Sequence, residues 1–154
     1  MRSRHATALI RACAVLLGAT MVLTGCVTTS GGPPGELQRA LQRADSAAFT
    51  VQVSFRQLQA GRTLPTTAET TCENMLEQAQ TAQHDASTVS VDNAAQHVLR
   101  ARVAQAIAAT ASLIVSVQDY LAHTSTASAH RLLAQLGSNR RLLAALHRRL
   151  GSSP

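Results

Sequence analysis

The stretch Phe49-Thr50-Val51-Gln52-Val53-Ser54-Phe55 decides the fold, because it satisfies two periodicities at once. Read alone, its apolar residues alternate at period two and are strand formers. Read with its surroundings, it lies inside a longer stripe formed by Leu37, Leu41, Ala44, Ala48, Val51, Phe55 and Leu58. Those steps of three and four keep one face of a helix turned to a partner. The longer pattern runs through the disputed segment, so helix is the preferred reading and a strand over 49–55 the alternative. Pro33-Pro34 precede the segment and Gly61 closes it.

Three further helical patterns follow. After Pro65, Thr66 with Glu69 three residues on has the form of a capping box, and Ala68, Cys72, Met75, Ala79, Ala82 and Ala86 step by four and three. Ser87–Val91 is the expected break and Asp92 the expected cap of a third helix. Its stripe is Ala95, Leu99, Val103, Ala106, Thr110, Leu113, Val117 and Tyr120. Thr124–Ser128 turns the chain again. Leu132, Leu136, Leu143, Leu146 and Leu150 form the last stripe, with Gly137-Ser138 as a kink or a new start. Four amphipathic helices with short connections over residues 36–150 predict an all-α, antiparallel up-down four-helix bundle. Its Ala-rich seams imply close helix approach and a thin core. Residues 151–154 are expected to be a disordered tail. No repeat of 20–50 residues is visible, which argues against a solenoid.

The 154 residues are 45% apolar, 14% charged and 2% aromatic, with no Trp. That suits one packed domain. The few aromatics, Phe49, Phe55 and Tyr120, argue against sites that stack single-stranded nucleic acid or sugars. All 14 basic residues are Arg, and against 8 carboxylates they give +6.

Part of that charge belongs to the N-terminus. A short segment carrying Arg2, Arg4 and Arg11 precedes the uncharged apolar run Ala12–Val22, which is too short to span a bilayer but suits a secretory signal. It ends in Leu23-Thr24-Gly25-Cys26. This tetrapeptide resembles the lipobox of bacterial lipoprotein precursors. The resemblance implies cleavage before Cys26, a diacylglyceryl thioether on its sulfur, and a cell-membrane location on the extracytoplasmic face. Residues 1–25 would then be a signal peptide. The Gly- and Pro-rich residues 26–35 would be the lipidated Cys and a tether, with Pro33-Pro34 as an extended spacer. The Arg-only, Ala-rich composition resembles that of a small actinobacterial envelope lipoprotein. Without Lys, attachment to peptidoglycan through a C-terminal Lys amine is ruled out.

With Arg2, Arg4 and Arg11 removed, 11 Arg face 8 carboxylates, a side-chain charge of +3. It is divided unevenly: residues 27–99 carry −3 and residues 100–154 carry +6. A general polyanion binder fits poorly, and no nucleic-acid partner is expected. In Asn139–Leu150, helical rotation collects Leu142, Leu143, Leu146 and Leu150 on one side and Arg140, Arg141, Arg148 and Arg149 on the other. The four Arg are candidate contacts for anionic lipid headgroups or an acidic envelope partner. The alternative is the solvated face of a fourth bundle helix.

Catalytic and metal chemistry is poorly represented. There is no GxSxG elbow, no Gly-rich phosphate loop and no HExxH or ExxH pair, while the His residues are scattered. No metal, cofactor or enzymatic activity is expected. Cys72 would be the one thiol left outside the signal and the lipid, either reactive or a small buried hydrophobe of the second stripe. These observations predict a membrane-anchored lipoprotein with an interaction or scaffolding role in the cell envelope. The alternative is a helical module that binds an apolar or lipid ligand.

Overall fold

The segment from Phe49 to Phe55 is helical in the computed structural model of the chain, which describes residues 31–123 and 128–152. It lies within helix α1, Pro33–Gln59. Val51 and Phe55 are buried, whereas Phe49 is 49% exposed. A helix divides the three residues in this way; a strand would turn them to one side. Helices α2 (Pro65–Thr88), α3 (Ala94–Leu121) and α4 (Ala129–Gly151) complete the described chain.

Several expected boundaries are corrected by cap chemistry. Pro33 and Pro34 form the first turn of α1 rather than an extended spacer, because a proline at the first helical positions lacks only an N–H that the helix would leave unpaired. Gly32, at φ 90°, brings the chain into that turn. In α2 Pro65 takes the first helical position after an extended Leu64, so Thr66 lies inside the helix and the Thr66–Glu69 box does not form. The cap of α3 is Asn93, not Asp92. Asn93 Oδ1 accepts the Gln96 N–H at 2.9 Å, and Gln96 Oε1 accepts the Asp92 N–H at 3.0 Å, a reciprocal arrangement of the capping-box type. Ser87 and Thr88 belong to α2, so the break begins two residues later, at Val89.

Ser128 Oγ accepts the Arg131 N–H and starts α4. This helix is continuous through Gly137 and includes Gly151, with Ser152 closing it. The expected signal peptide, Cys26 and most of the turn at 124–128 lie outside the described residues, as do residues 153–154.

The core shows the topology. One cluster joins Leu37, Leu41 and Ala44 of α1 to Ala82 and Ala86 at the end of α2, Val103 and Ile107 early in α3, and Leu143 and Leu150 late in α4. The other joins Val51 and Phe55 to Ala68 and Cys72 at the start of α2, Ile114 and Val117 late in α3, and Leu132 and Leu136 early in α4. Each helix therefore reverses its predecessor, giving the up-down-up-down bundle. Helix α1 packs on all three others. The buried positions of α2 are Ala68, Cys72, Ala79, Ala82 and Ala86, small side chains that bring α1 and α2 together. Phe55 and Tyr120 meet edge to face, with centroids 5.2 Å apart, a geometry that contributes about 1 kcal/mol beyond area burial. Between the clusters, Thr110 and Asn139 are buried and hydrogen-bonded to each other at 2.7 Å.

Candidate functional site: a basic groove between α1 and α4

Helices α1 and α4 leave a groove along their seam. Its volume is about 490 Å³, within the range of small-molecule sites. Leu41 and Leu143, each 1% exposed, lie beneath it, and Phe49 and Ala144 extend the apolar lining. Polar groups come from Gln42, Asp45, Ser46, Arg140, His147 and Arg148.

The polar groups are not equivalent. Arg140 Nε donates to Asp45 Oδ1 at 2.9 Å, and its Nη1 donates to Gln52 Oε1 at 3.3 Å. Its guanidinium also stands 4.6 Å from the centroid of Phe49, a cation–π contact of about 1 kcal/mol. Gln52, which is buried, donates in turn to the Leu133 carbonyl. Arg140 is thus a structural link between α1 and α4, with its charge balanced by Asp45. At the other end of the groove, Arg148 is exposed. Beside it the His147 ring keeps Nδ1 buried without a hydrogen-bond partner. Such an orphaned polar atom costs on the order of 1–3 kcal/mol.

The four Arg expected to act together are therefore separated. They fan over about half of the helix circumference, as 100° per residue requires. Arg140 is engaged with Asp45, and Arg141 Nη2 donates to Ser138 Oγ. Arg148 lines the α1–α4 groove. Arg149 lines a second depression with Arg102, Pro34, Val98 and Leu150. The leucines divide as well: Leu143, Leu146 and Leu150 are buried, but Leu142 is 49% exposed.

Topology brings together residues that are remote in the chain. The second depression lies where α1 begins, α3 begins and α4 ends, so Arg102 and Arg149 flank Pro34. Val98, 52% exposed, adds an apolar residue there. Helix α3 is apolar enough over an 18-residue window (mean hydropathy 1.4) to cross a membrane by length and composition, yet in the bundle it contributes Val103, Ile107, Ile114 and Val117 to the core.

Sequence reading missed Phe49, Asp45, Gln42, Ser46 and His147 as site residues. A signal for Phe49 was present: an aromatic side chain off the α1 stripe must point away from the core. Nothing in the sequence pairs Asp45 with Arg140. Cys72 is buried, and burial together with Glu69 and Glu73 raises its thiol pKa from 9.0 to about 11. That environment disfavours the nucleophilic thiolate. Among the described residues no group of three or more His, Cys, Asp or Glu is placed to hold a metal ion. Cys26, the expected lipidation site, lies outside the described residues. Comparison with protein-family models, curated proteins and solved structures finds no match for this chain.

Proposed function

We propose that this chain is the precursor of a lipoprotein anchored through Cys26 to the outer face of the cell membrane, with its bundle serving as a non-enzymatic interaction or scaffolding module of the envelope. The observation that carries the reading is the coincidence of two features at one end of the bundle. Pro33, where α1 emerges from the N-terminal segment, lies at the end that also holds Arg102, Arg148 and Arg149. Pro33 lies seven positions after Cys26, a reach of at most ~25 Å. An acyl anchor on Cys26 keeps this basic end next to the bilayer. Each Arg near an anionic surface then contributes on the order of 1 kcal/mol.

Mass spectrometry of the protein extracted from membranes tests the anchor. The expected product begins at Cys26, carries a diacylglyceryl adduct and lacks residues 1–25. An unmodified Cys26 behind an intact N-terminus overturns the reading. A second reading, a helical module that holds an apolar or lipid ligand, is favoured by one observation, the apolar α1–α4 groove with charge at its rim.

A further inference from the structure

We propose that the α1–α4 groove binds one single-chain amphiphile with an anionic head, a long-chain fatty acid, its carboxylate between His147 and Arg148 and its chain running over Leu143 and Ala144 toward Phe49. The inference rests on the second reading of the groove as a ligand site and is independent of Cys26 acylation.

Three observations converge on this ligand. The groove has buried Leu41 and Leu143 beneath it and a half-exposed Phe49 on its wall, an apolar lining that suits an alkyl chain better than a polar metabolite. Its charge is unbalanced in one place. The Asp45 carboxylate is neutralised by Arg140, so Arg148 gives the lining its net positive charge, and it does so at the end away from Phe49. His147 lines that same end and is half-buried; its Nδ1 is buried, so the ring meets a head group through Nε2. The Arg148 guanidinium supplies a charge-assisted hydrogen bond to a carboxylate and an imidazole N–H a further one. Helical rotation separates Arg148 from Ala144 and Arg140 by one and two turns, so charge and apolar lining follow one another along the groove axis as head and chain do in the ligand.

The test uses the full chain carrying Cys26→Ala, so that no covalent acyl chain competes, and titrates it with the fluorescent fatty acid cis-parinaric acid. Saturable binding at one site per chain is expected. Arg148→Ala should weaken it about tenfold, the loss of one charge-assisted hydrogen bond. Phe49→Ala should weaken it several-fold by shortening the apolar wall. Both positions are exposed or half-exposed, and an unchanged helical circular-dichroism spectrum shows that each variant folds. An alkylammonium of equal chain length should not displace the probe. Absence of saturable binding overturns both the proposal and the reading of the groove as a ligand site. Binding that is indifferent to Arg148→Ala, or that the alkylammonium displaces equally well, leaves an apolar site but overturns the fatty-acid assignment. Retained affinity in Phe49→Ala overturns the proposed path of the chain.

Discussion

Asn139 of α4 donates its side-chain amide to the hydroxyl of Thr110 of α3 at 2.7 Å, with both residues buried between the two apolar clusters. A polar pair at this depth specifies one axial alignment of α3 against α4, since sliding either helix by a turn would leave an amide and a hydroxyl facing aliphatic side chains.

Removing one partner should therefore be worse than removing both. Thr110→Val is expected to destabilise the bundle by about 1–3 kcal/mol, the penalty for an unsatisfied buried amide. Adding Asn139→Leu should recover a large part of that loss. Urea unfolding of the two single variants and the double variant measures the coupling. Strict additivity would mean that the pair does not act as a unit.

Arg140 and Arg148 should separate stability from surface binding. Arg140→Ala removes a partly exposed ion pair and a cation–π contact and should lower stability by about 1 kcal/mol. It should lower binding to anionic vesicles less than loss of Arg148 and Arg149 does, because Arg140 lies two turns back from the basic end. Arg148→Gln combined with Arg149→Gln should show the reverse, with weaker, salt-sensitive vesicle binding. Co-sedimentation at two ionic strengths, beside thermal melts, distinguishes them. Equal vesicle binding by all variants would remove the headgroup contact from the proposed function.

Cys72 should behave as a core residue. Its thiol is 1% exposed and its pKa is raised to about 11 by burial, Glu69 and Glu73. Alkylation of the native protein at pH 8 should be slow and become fast only on unfolding. The pKa is raised in the folded state, so its stabilising contribution is fully present below the unfolded pKa near 9.0 and is lost as pH rises from there through about 11. Cys72→Ala should remove that part of the alkaline decline. Rapid labelling of folded protein would contradict the buried environment.

Two backbone positions offer gains in stability. Gly137 lies inside α4, and a Cβ there would make ordinary contact with Gln52 Nε2 at 3.5 Å. Gly137→Ala should stabilise by about 0.5–1 kcal/mol through helix propensity and unfolded-state entropy. His123, just past α3, has φ 57°, the left-handed region in which glycine carries no Cβ penalty, so His123→Gly should also stabilise. Thermal melts should show a rise of a few degrees for each. A lower melting temperature for Gly137→Ala would show that the contact with Gln52 is tighter than its geometry indicates.

The helical stripes were legible because burial against one partner face imposes a period of 3.6 on any sequence that folds this way. Leu37, Leu41, Val51 and Phe55 on α1 and Leu132, Leu136, Leu143 and Leu150 on α4 were identified as core and are buried. Cap positions were less legible. Thr66 and Asp92 have suitable side chains, but Pro65 and Asn93 beside them take the first helical position and the cap, and that local competition is decided by backbone geometry. Ala95, assigned to the α3 stripe, is exposed because it lies in the first turn of the helix, beyond the clustered core.

The sequence by itself determined that the chain makes four helices, which face of each is apolar, and that its charge is divided between two halves. Only the tertiary structure decided what those charges do. Arg140 and Arg148 lie two turns apart on one helix and look equivalent in a helical projection. Yet α1 presents Asp45 and Phe49 to the first, while the second is left at the rim of the groove. Side-chain periodicity reports how a helix is oriented toward the core and carries no information about which residue of another helix comes to lie beside it. That pairing follows from helix order, axial alignment and helix spacing, and those quantities exist only once the helices have packed.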